Sequence, residues 1–152
     1  MAIRRIPKEV TFILMALELA KQSTCSRRSV GAIFTNEKTH IISAGYNGVA
    51  YGLPHCIKTP CAGAGCRPGE GLELCEAIHA EQNALMWCSD VNKIHSAYIT
   101  HSPCIHCVKM LMNTSCKNIY FAFEYAHNER SKKLWEQHGG SWNKVALCES
   151  LS

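Results

Sequence analysis

Two short motifs contain side chains that can bind a metal ion and transfer a proton. The sequence His-Ala-Glu at residues 79–81 offers an imidazole and a carboxylate, and Pro-Cys-Ile-His-Cys at residues 103–107 offers two thiols. Cys104 and Cys107 would lie on one side of a helix, in its first turn, where the helix dipole favours the thiolate form. Two thiolates and one imidazole form a zinc ligand set with one coordination position open, which is typical of catalytic sites.

Glu81 follows His79 by two residues, which is about 200° around an ideal helix. The two side chains can therefore share a site only if the helix points its N-terminal end at the metal. In that position Glu81 would lie beside the open coordination position without binding the metal. It is the candidate catalytic residue, because it can carry a proton between water and the substrate.

Each motif has an ordinary explanation when it stands alone. A single Cys-x-x-Cys usually belongs to a structural zinc site or a redox pair, and a single His-x-Glu is usually coincidence. Together they favour a catalytic zinc, because a structural zinc would need a fourth ligand and would leave Glu81 without a role.

Helices and strands predicted around the motifs would position them. Apolar spacing predicts a helix over residues 7–22, and two strands at residues 29–34 and 40–46 flank a polar turn, which predicts a β-hairpin. The second half of the chain alternates helix and strand, over residues 78–87, 95–100, 103–113, 117–123, 128–138 and 142–147. This order predicts an α/β protein with a mixed five-stranded sheet and helices on both faces.

The composition predicts a single domain over residues 1–152, because 152 residues with 47% hydrophobic content can bury one core. Residues 47–74 are rich in Gly, Pro and Cys without periodicity, so we expect an inserted irregular loop there. The net charge of +4 comes from dispersed basic residues and does not demand a nucleic-acid partner.

The cellular location is predicted from the N-terminal residues and the cysteines. The start of the chain has no signal-peptide pattern, and its longest apolar stretch, residues 11–20, is too short to cross a membrane. We therefore expect a cytoplasmic protein without a membrane partner. In a reducing cytoplasm the ten cysteines are metal ligands or buried thiols more often than disulfides.

Three segments together resemble the deoxycytidylate (dCMP) deaminases of the cytidine deaminase superfamily: residues 45–48 (Gly-Tyr-Asn-Gly), 79–85 and 98–107. The superfamily signature is His-x-Glu followed by Pro-Cys-x-x-Cys, and the resemblance extends over about residues 25–140. It implies a three-layer α/β/α fold, a catalytic zinc (Zn2+) held by His79, Cys104 and Cys107, and Glu81 as the proton shuttle. The implied reaction is hydrolysis of dCMP to dUMP and ammonia, which provides a precursor of dTMP.

The resemblance also favours one branch of the superfamily. Cytidine deaminases usually have Cys-Ala-Glu where this chain has His-Ala-Glu, whereas nucleotide and tRNA deaminases share the histidine. The Gly-Tyr-Asn-Gly segment followed by a Cys-rich insertion is similar to the dCMP branch, because tRNA adenosine deaminases have a shorter connection there.

The resemblance assigns substrate contacts to Ser26, Arg27, Asn47, Ala80 and Tyr125. Asn47 would bind the deoxyribose, Ser26 or Arg27 would face the 5′-phosphate, and Tyr125 would lie against the base. Each has an ordinary alternative: Asn47 as a turn residue, Arg27 and Arg28 as solvated charges, and Tyr125 as a core residue.

The remaining cysteines could hold a second zinc, because many members of this branch carry a structural zinc that fixes the inserted loop. The first candidate ligands are Cys25, Cys56, Cys66 and Cys75, and Cys61 or His55 could complete the set. The alternative is that several of these residues are buried free thiols.

The resemblance implies regulation and assembly as well. The loop containing Gly45, Tyr46 and Gly48 is associated in the family with control by dCTP, with Mg2+ as a possible companion, and by dTTP across subunit contacts. Relatives often have Pro soon after this loop, whereas Val49 and Ala50 follow here, so regulation stays open. We expect a homo-oligomer, with a hexamer favoured.

Two other functions remain to be separated from this one. A tRNA or single-stranded nucleic-acid deaminase would need a basic, aromatic-lined groove, which the dispersed charges do not indicate. A catalytically silent zinc-binding or nucleotide-binding module would have no use for the complete set of His79, Glu81, Cys104 and Cys107.

Overall fold

The computed structural model describes residues 5–67 and 69–147. Four α-helices and seven strands form within those residues: α1 (Lys8–Ala20), β1 (Gly31–Thr35), β2 (Ile41–Tyr46), β3 (Gly48–Val49), β4 (Ala77–Ile78), α2 (Ala80–Met86), β5 (Ser96–His101), α3 (Ile105–Met112), β6 (Asn118–Phe123), α4 (Glu129–Gln137) and β7 (Ser141–Lys144).

Five of the strands form the main sheet, in the order β2-β1-β5-β6-β7. The central strand β5 pairs antiparallel with β1 and parallel with β6, while β1 and β2 form the predicted antiparallel hairpin. Strand β7 pairs parallel with β6, so the sheet is mixed. The predicted α/β fold with a mixed five-stranded sheet is therefore confirmed.

Helices cover both faces of this sheet. On one face α1 buries Ile13 and Ala16 against Ile33 and Tyr98 of the sheet. On the other face, side chains of α2, α3 and α4 pack on the sheet in a larger core that includes Ala84, Leu111, Trp135, Phe34 and Phe121. All five residues of β1 are buried, as expected for a strand covered on both faces.

The segment predicted as an irregular loop is mostly irregular, but its two ends are paired. Strands β3 and β4 form a small antiparallel sheet in which Gly48 pairs with Ile78 and Val49 with Ala77. A short 3-10 helix, Leu72–Leu74, lies within the loop. The β3–β4 pairing anchors the chain immediately before residue 79, where the first motif begins.

Gly45 allows β2 and α2 to approach closely. A Cβ atom at this position would lie 2.6 Å from both the Ala80 carbonyl oxygen and the Ala84 backbone nitrogen. Backbone cannot yield as a flexible side chain does, so a methyl group there would push α2 away from the sheet.

We therefore expect Gly45→Ala to lower the free energy of unfolding by about 1–3 kcal/mol, measured by urea denaturation. Gly65→Ala is the matched control, because a Cβ atom at Gly65 would meet no atom within 4 Å. Equal stability of the two variants would contradict the packing argument.

Within residues 5–67 and 69–147, none of the helices combines the length and the apolar character needed to cross a lipid bilayer.

Candidate metal centre and active site

The N-terminal ends of α2 and α3 meet at the two motifs. His79 is the residue immediately before α2, Cys104 is the residue immediately before α3, and Cys107 lies in the first turn of α3. The start of α2 is held by Gln82, whose side-chain oxygen accepts a hydrogen bond from the His79 N–H at 2.9 Å. The helix ends therefore present their side chains to one another.

His79, Cys104 and Cys107 form a group whose ligand atoms all lie within 4.8 Å of one another. The Nδ1 atom of His79 lies 3.5 Å from the Cys104 sulfur and 3.4 Å from the Cys107 sulfur. In a tetrahedral zinc site with ordinary bond lengths, the nitrogen and sulfur ligands are about 3.6 Å apart. The spacing and the chemistry of these donors therefore fit zinc.

Glu81 lies beside these ligands and is buried, with 4% of its surface exposed. Burial raises the pKa of its carboxyl group, an effect opposed by backbone hydrogen bonding and by the nearby His79 charge. The Cys107 thiol is a hydrogen-bond partner of the same carboxyl group. A buried carboxyl with a raised pKa holds a proton more readily than an exposed one, which suits a group that accepts and then donates a proton.

The pKa values of the two thiols of the group are shifted in opposite directions. The hydrogen bond from Cys107, together with His79, lowers the pKa of Cys104 to about 3 against the opposing effect of burial. The pKa of Cys107 is raised, because its thiol donates that hydrogen bond and because it is buried. The hydrogen bond with Cys104 raises the pKa of His79. The pocket therefore already stabilises one thiolate, the form that zinc binds.

Asn47 lies between β2 and β3 and is buried. Its side-chain oxygen accepts a hydrogen bond from the Val30 N–H at 2.9 Å, and its Nδ2 donates to the Arg28 carbonyl at 2.8 Å. These contacts hold the start of β1 in place. One N–H of the Asn47 amide is left available for another partner.

Of the other predicted substrate residues, Ser26 and Arg27 contact the inserted loop and Ala80 is buried. The Ser26 hydroxyl lies 3.2 Å from the Cys56 sulfur. Arg27 donates to the carbonyl oxygens of Arg67 and Glu70, at 2.7 and 3.2 Å, so its guanidinium is engaged by the inserted loop. Ala80 is fully buried at the start of α2.

Arg28, which the sequence indicates only as a solvated charge, contacts Tyr125. Its guanidinium lies 4.1 Å from the centre of the Tyr125 ring. Its positive charge opposes the rise in the pKa of His79, and it adds to the lowering of the pKa of His101 that burial mainly causes. Tyr125 is tied to the same region because its N–H donates to Ser102, two residues before Cys104. The family resemblance assigns a substrate contact only to the adjacent Arg27.

The cysteines considered for a second metal lie around the inserted loop as free thiols. Cys56 is buried and its sulfur accepts a hydrogen bond from the Cys61 N–H at 3.4 Å. Hydrogen bonds from Cys61 and Ser26 lower the pKa of Cys56 to about 7. Cys75 lies near enough to Cys25 and Cys61 for these thiols to affect its pKa, which burial mainly raises.

Cys66 lies against Gly71, where an added Cβ would meet its sulfur. Among the residues that the structure describes, His79, Cys104 and Cys107 are the group of three whose ligand atoms are close enough for a metal. The candidate set of Cys25, Cys56, Cys66 and Cys75 is thus not brought together.

The Gly-Tyr-Asn-Gly segment forms the end of β2 and the start of β3. Tyr46 is exposed, and its backbone carbonyl accepts a hydrogen bond from the Asn83 side chain of α2 at 2.8 Å. Gly48 lies against Thr24, whose hydroxyl would be 2.5 Å from an added Cβ. Close packing thus explains the glycines at both ends of the segment, against the α2 backbone for Gly45 and against the Thr24 side chain for Gly48.

The fold and the zinc-compatible group identify the class of the protein. Residues 7–123 match the model of the cytidine and deoxycytidylate deaminase zinc-binding region, and the chain belongs to this family. The resemblance predicted from the motifs is therefore confirmed.

Individual relatives extend this match over most of the chain. ComE operon protein 2 of Bacillus subtilis is 35% identical over 150 residues, which cover 97% of this chain and 76% of that protein. The deoxycytidylate deaminase of Mycobacterium phage D29 is 30% identical over 119 residues, covering 74% and 92% of the two chains. The crystal structure of the dCMP deaminase from cyanophage S-TIM5 in complex with dCMP and dUMP aligns with a TM-score of 0.69 at 25% identity, covering 92% of this chain and 99% of that one.

Proposed function

We propose that this protein is a zinc-dependent dCMP deaminase that converts dCMP and water to dUMP and ammonia. The observation that carries the proposal is the meeting of two helix ends, where His79, Cys104 and Cys107 lie at zinc-ligand spacing beside the buried carboxyl of Glu81. The substrate is taken from the relatives, because a D29 protein of this family is a deoxycytidylate deaminase and the S-TIM5 structure is a complex with dCMP and dUMP.

The metal would be held by one imidazole and two sulfurs from the ends of α2 and α3. Three protein ligands leave a tetrahedral ion one position for a non-protein ligand. Zinc in this position would supply Lewis acidity that makes a water molecule easier to deprotonate near neutral pH.

Glu81 carries the protons of the reaction. Its carboxylate accepts a proton from the attacking water, whose oxygen bonds to C4 of cytosine, and the carboxyl then delivers that proton to N3. The proton of the new hydroxyl group on C4 then passes through Glu81 to the amino group, the C4–N bond breaks, and ammonia leaves as C4 becomes a carbonyl carbon. Because the side chain is buried, water from bulk solvent does not compete for these protons.

We propose further features that accompany this activity. A second zinc could be bound at the inserted loop after a small rearrangement, with Cys25, Cys56, Cys61 and Cys75 as better candidates than Cys66, because their contacts lie together.

The family resemblance supports a homo-oligomer, with a hexamer favoured, dCTP activation with Mg2+, dTTP inhibition, and a role in supplying the dTMP precursor. We place the protein in the cytoplasm, because Cys104 and Cys107 can bind zinc only when reduced.

The experiment that tests the function is an ammonia-release assay on the zinc-loaded protein with dCMP, CMP, dCTP, deoxycytidine and tRNA, each with and without added dCTP. We expect dCMP to have the highest kcat/KM. Preferred turnover of tRNA would favour the nucleic-acid deaminase, and no turnover of any substrate would favour a silent binding module.

A further inference from the structure

A groove with basic walls lies between α3 and α4. Its volume is about 510 Å³, comparable to that of a small-ligand pocket, so it can receive a few side chains of a partner. Partly buried Ile105 and Leu134 form its apolar part. This basic groove is lined by Ile105, His106, Lys109, Arg130, Lys133, Leu134 and Gln137.

The positive charges of the basic groove are not neutralised within the groove. Lys109, Arg130 and Lys133 are exposed, and the described residues that line the groove include neither Asp nor Glu. In the described ranges 5–67 and 69–147, the ion pairs lie elsewhere and involve none of these three residues. The fold thus concentrates charges that are dispersed along the sequence, and an acidic partner would relieve their mutual repulsion.

The inserted loop carries the complementary chemistry. Its short 3-10 helix, Leu72–Leu74, leaves Leu72 52% exposed and Leu74 45% exposed. Glu73 lies between the two leucines, Glu70 and Glu76 flank the helix, and all three glutamates are exposed. None of these glutamates forms an ion pair with another described residue. This acidic segment, residues 70–76, therefore combines an apolar centre with a charged rim, as protein interfaces do.

The acidic segment is fastened to the rest of the fold. Arg27 donates a hydrogen bond to the Glu70 carbonyl oxygen at 3.2 Å, and the Leu74 N–H donates to the Gly71 carbonyl oxygen at 3.0 Å. A segment that is already ordered loses less conformational entropy on binding. Because every chain carries both the segment and the groove, a second copy of the chain can supply the missing partner to each.

We propose that the acidic segment of one chain docks in the basic groove of a second copy of this chain. The two exposed leucines cover the apolar part of the groove, and the carboxylates of the segment pair with its three cations. This contact deepens the proposed homo-oligomer by naming the surfaces that meet. It does not depend on the deaminase activity.

The test measures the dissociation constant for self-association of the zinc-loaded full-length protein by analytical ultracentrifugation. Arg130→Glu with Lys133→Glu reverses the charge of the groove, and Glu73→Lys with Glu76→Lys reverses that of the segment. Each double variant should raise the dissociation constant by about tenfold or more, because facing opposite charges become like charges. The chain with all four substitutions should recover association close to that of the wild type, because opposite charges then face each other again.

Lys132→Glu is the matched control for Lys133→Glu. Lys132 is adjacent on α4 and carries the same charge, but it pairs with Glu136 and does not line the groove. It should leave the dissociation constant unchanged, whereas Lys133→Glu should raise it. Circular dichroism checks that every variant keeps its fold.

Three results would overturn the proposed contact. One is a wild-type protein that stays monomeric, which would leave the groove to a different acidic partner. Another is a double variant that associates as tightly as the wild type, and the third is a fourfold variant that fails to recover association. An assembled wild-type protein that releases no ammonia from dCMP would refute the proposed function and leave the contact standing.

Discussion

Glu81→Gln is expected to reduce deamination of dCMP by about 10³-fold or more, since positioned proton transfer typically contributes a factor of 10² to 10⁴ and this residue serves several transfers. Glutamine has nearly the same shape but cannot accept and return a proton. Because Glu81 lies beside the ligand group without being one of its three members, the variant should keep its zinc and its fold. Ammonia release, zinc content and circular dichroism measure the three properties.

Glu129→Gln provides the matched control for that substitution. Glu129 lies in the first turn of α4, as Glu81 lies in the first turn of α2, but it is exposed. The control should retain wild-type turnover. Wild-type activity in Glu81→Gln would show that another group moves the protons, and loss of zinc in that variant would mean that Glu81 supports the metal ligands directly.

Cys104→Ser is expected to remove one zinc per chain and, with it, nearly all activity. A serine hydroxyl is not deprotonated near neutral pH, whereas the pKa of the Cys104 thiol is lowered to about 3 in this pocket. The loss of one of three ligands would leave an imidazole and one thiolate, too few to hold the ion tightly. Zinc per chain by atomic emission and ammonia release from dCMP are the two measurements.

The control for this prediction is Cys88→Ser. Cys88 is a free, partly buried thiol outside the group of three ligands. It should retain both the zinc and the activity of the wild-type protein. Incubation of the wild-type protein with a chelator should reproduce the Cys104→Ser loss, and added zinc should reverse it. Zinc content that stays at the wild-type level in Cys104→Ser would exclude this ligand set.

The metal centre and the sheet could be predicted from the sequence because they depend on short-range rules. The spacing of Cys104 and Cys107 places two sulfurs on one side of a helix whatever the rest of the chain does. The alternation of apolar segments likewise predicts the strands and helices, and their order limits the ways in which they can pack. The identity and approximate position of the candidate zinc ligands and of Glu81 follow from these local patterns.

Tertiary structure decided the contacts that depend on the inserted loop. Arg27 and Arg28 are adjacent and chemically identical, yet one binds loop carbonyls and the other stacks on Tyr125. Likewise the Cys61 N–H donates a hydrogen bond to the Cys56 sulfur, a contact that the spacing of the cysteines does not predict. The loop has no periodicity, so its path is set by long-range packing against the rest of the fold. A residue's neighbours in such a segment cannot be derived from spacing along the chain.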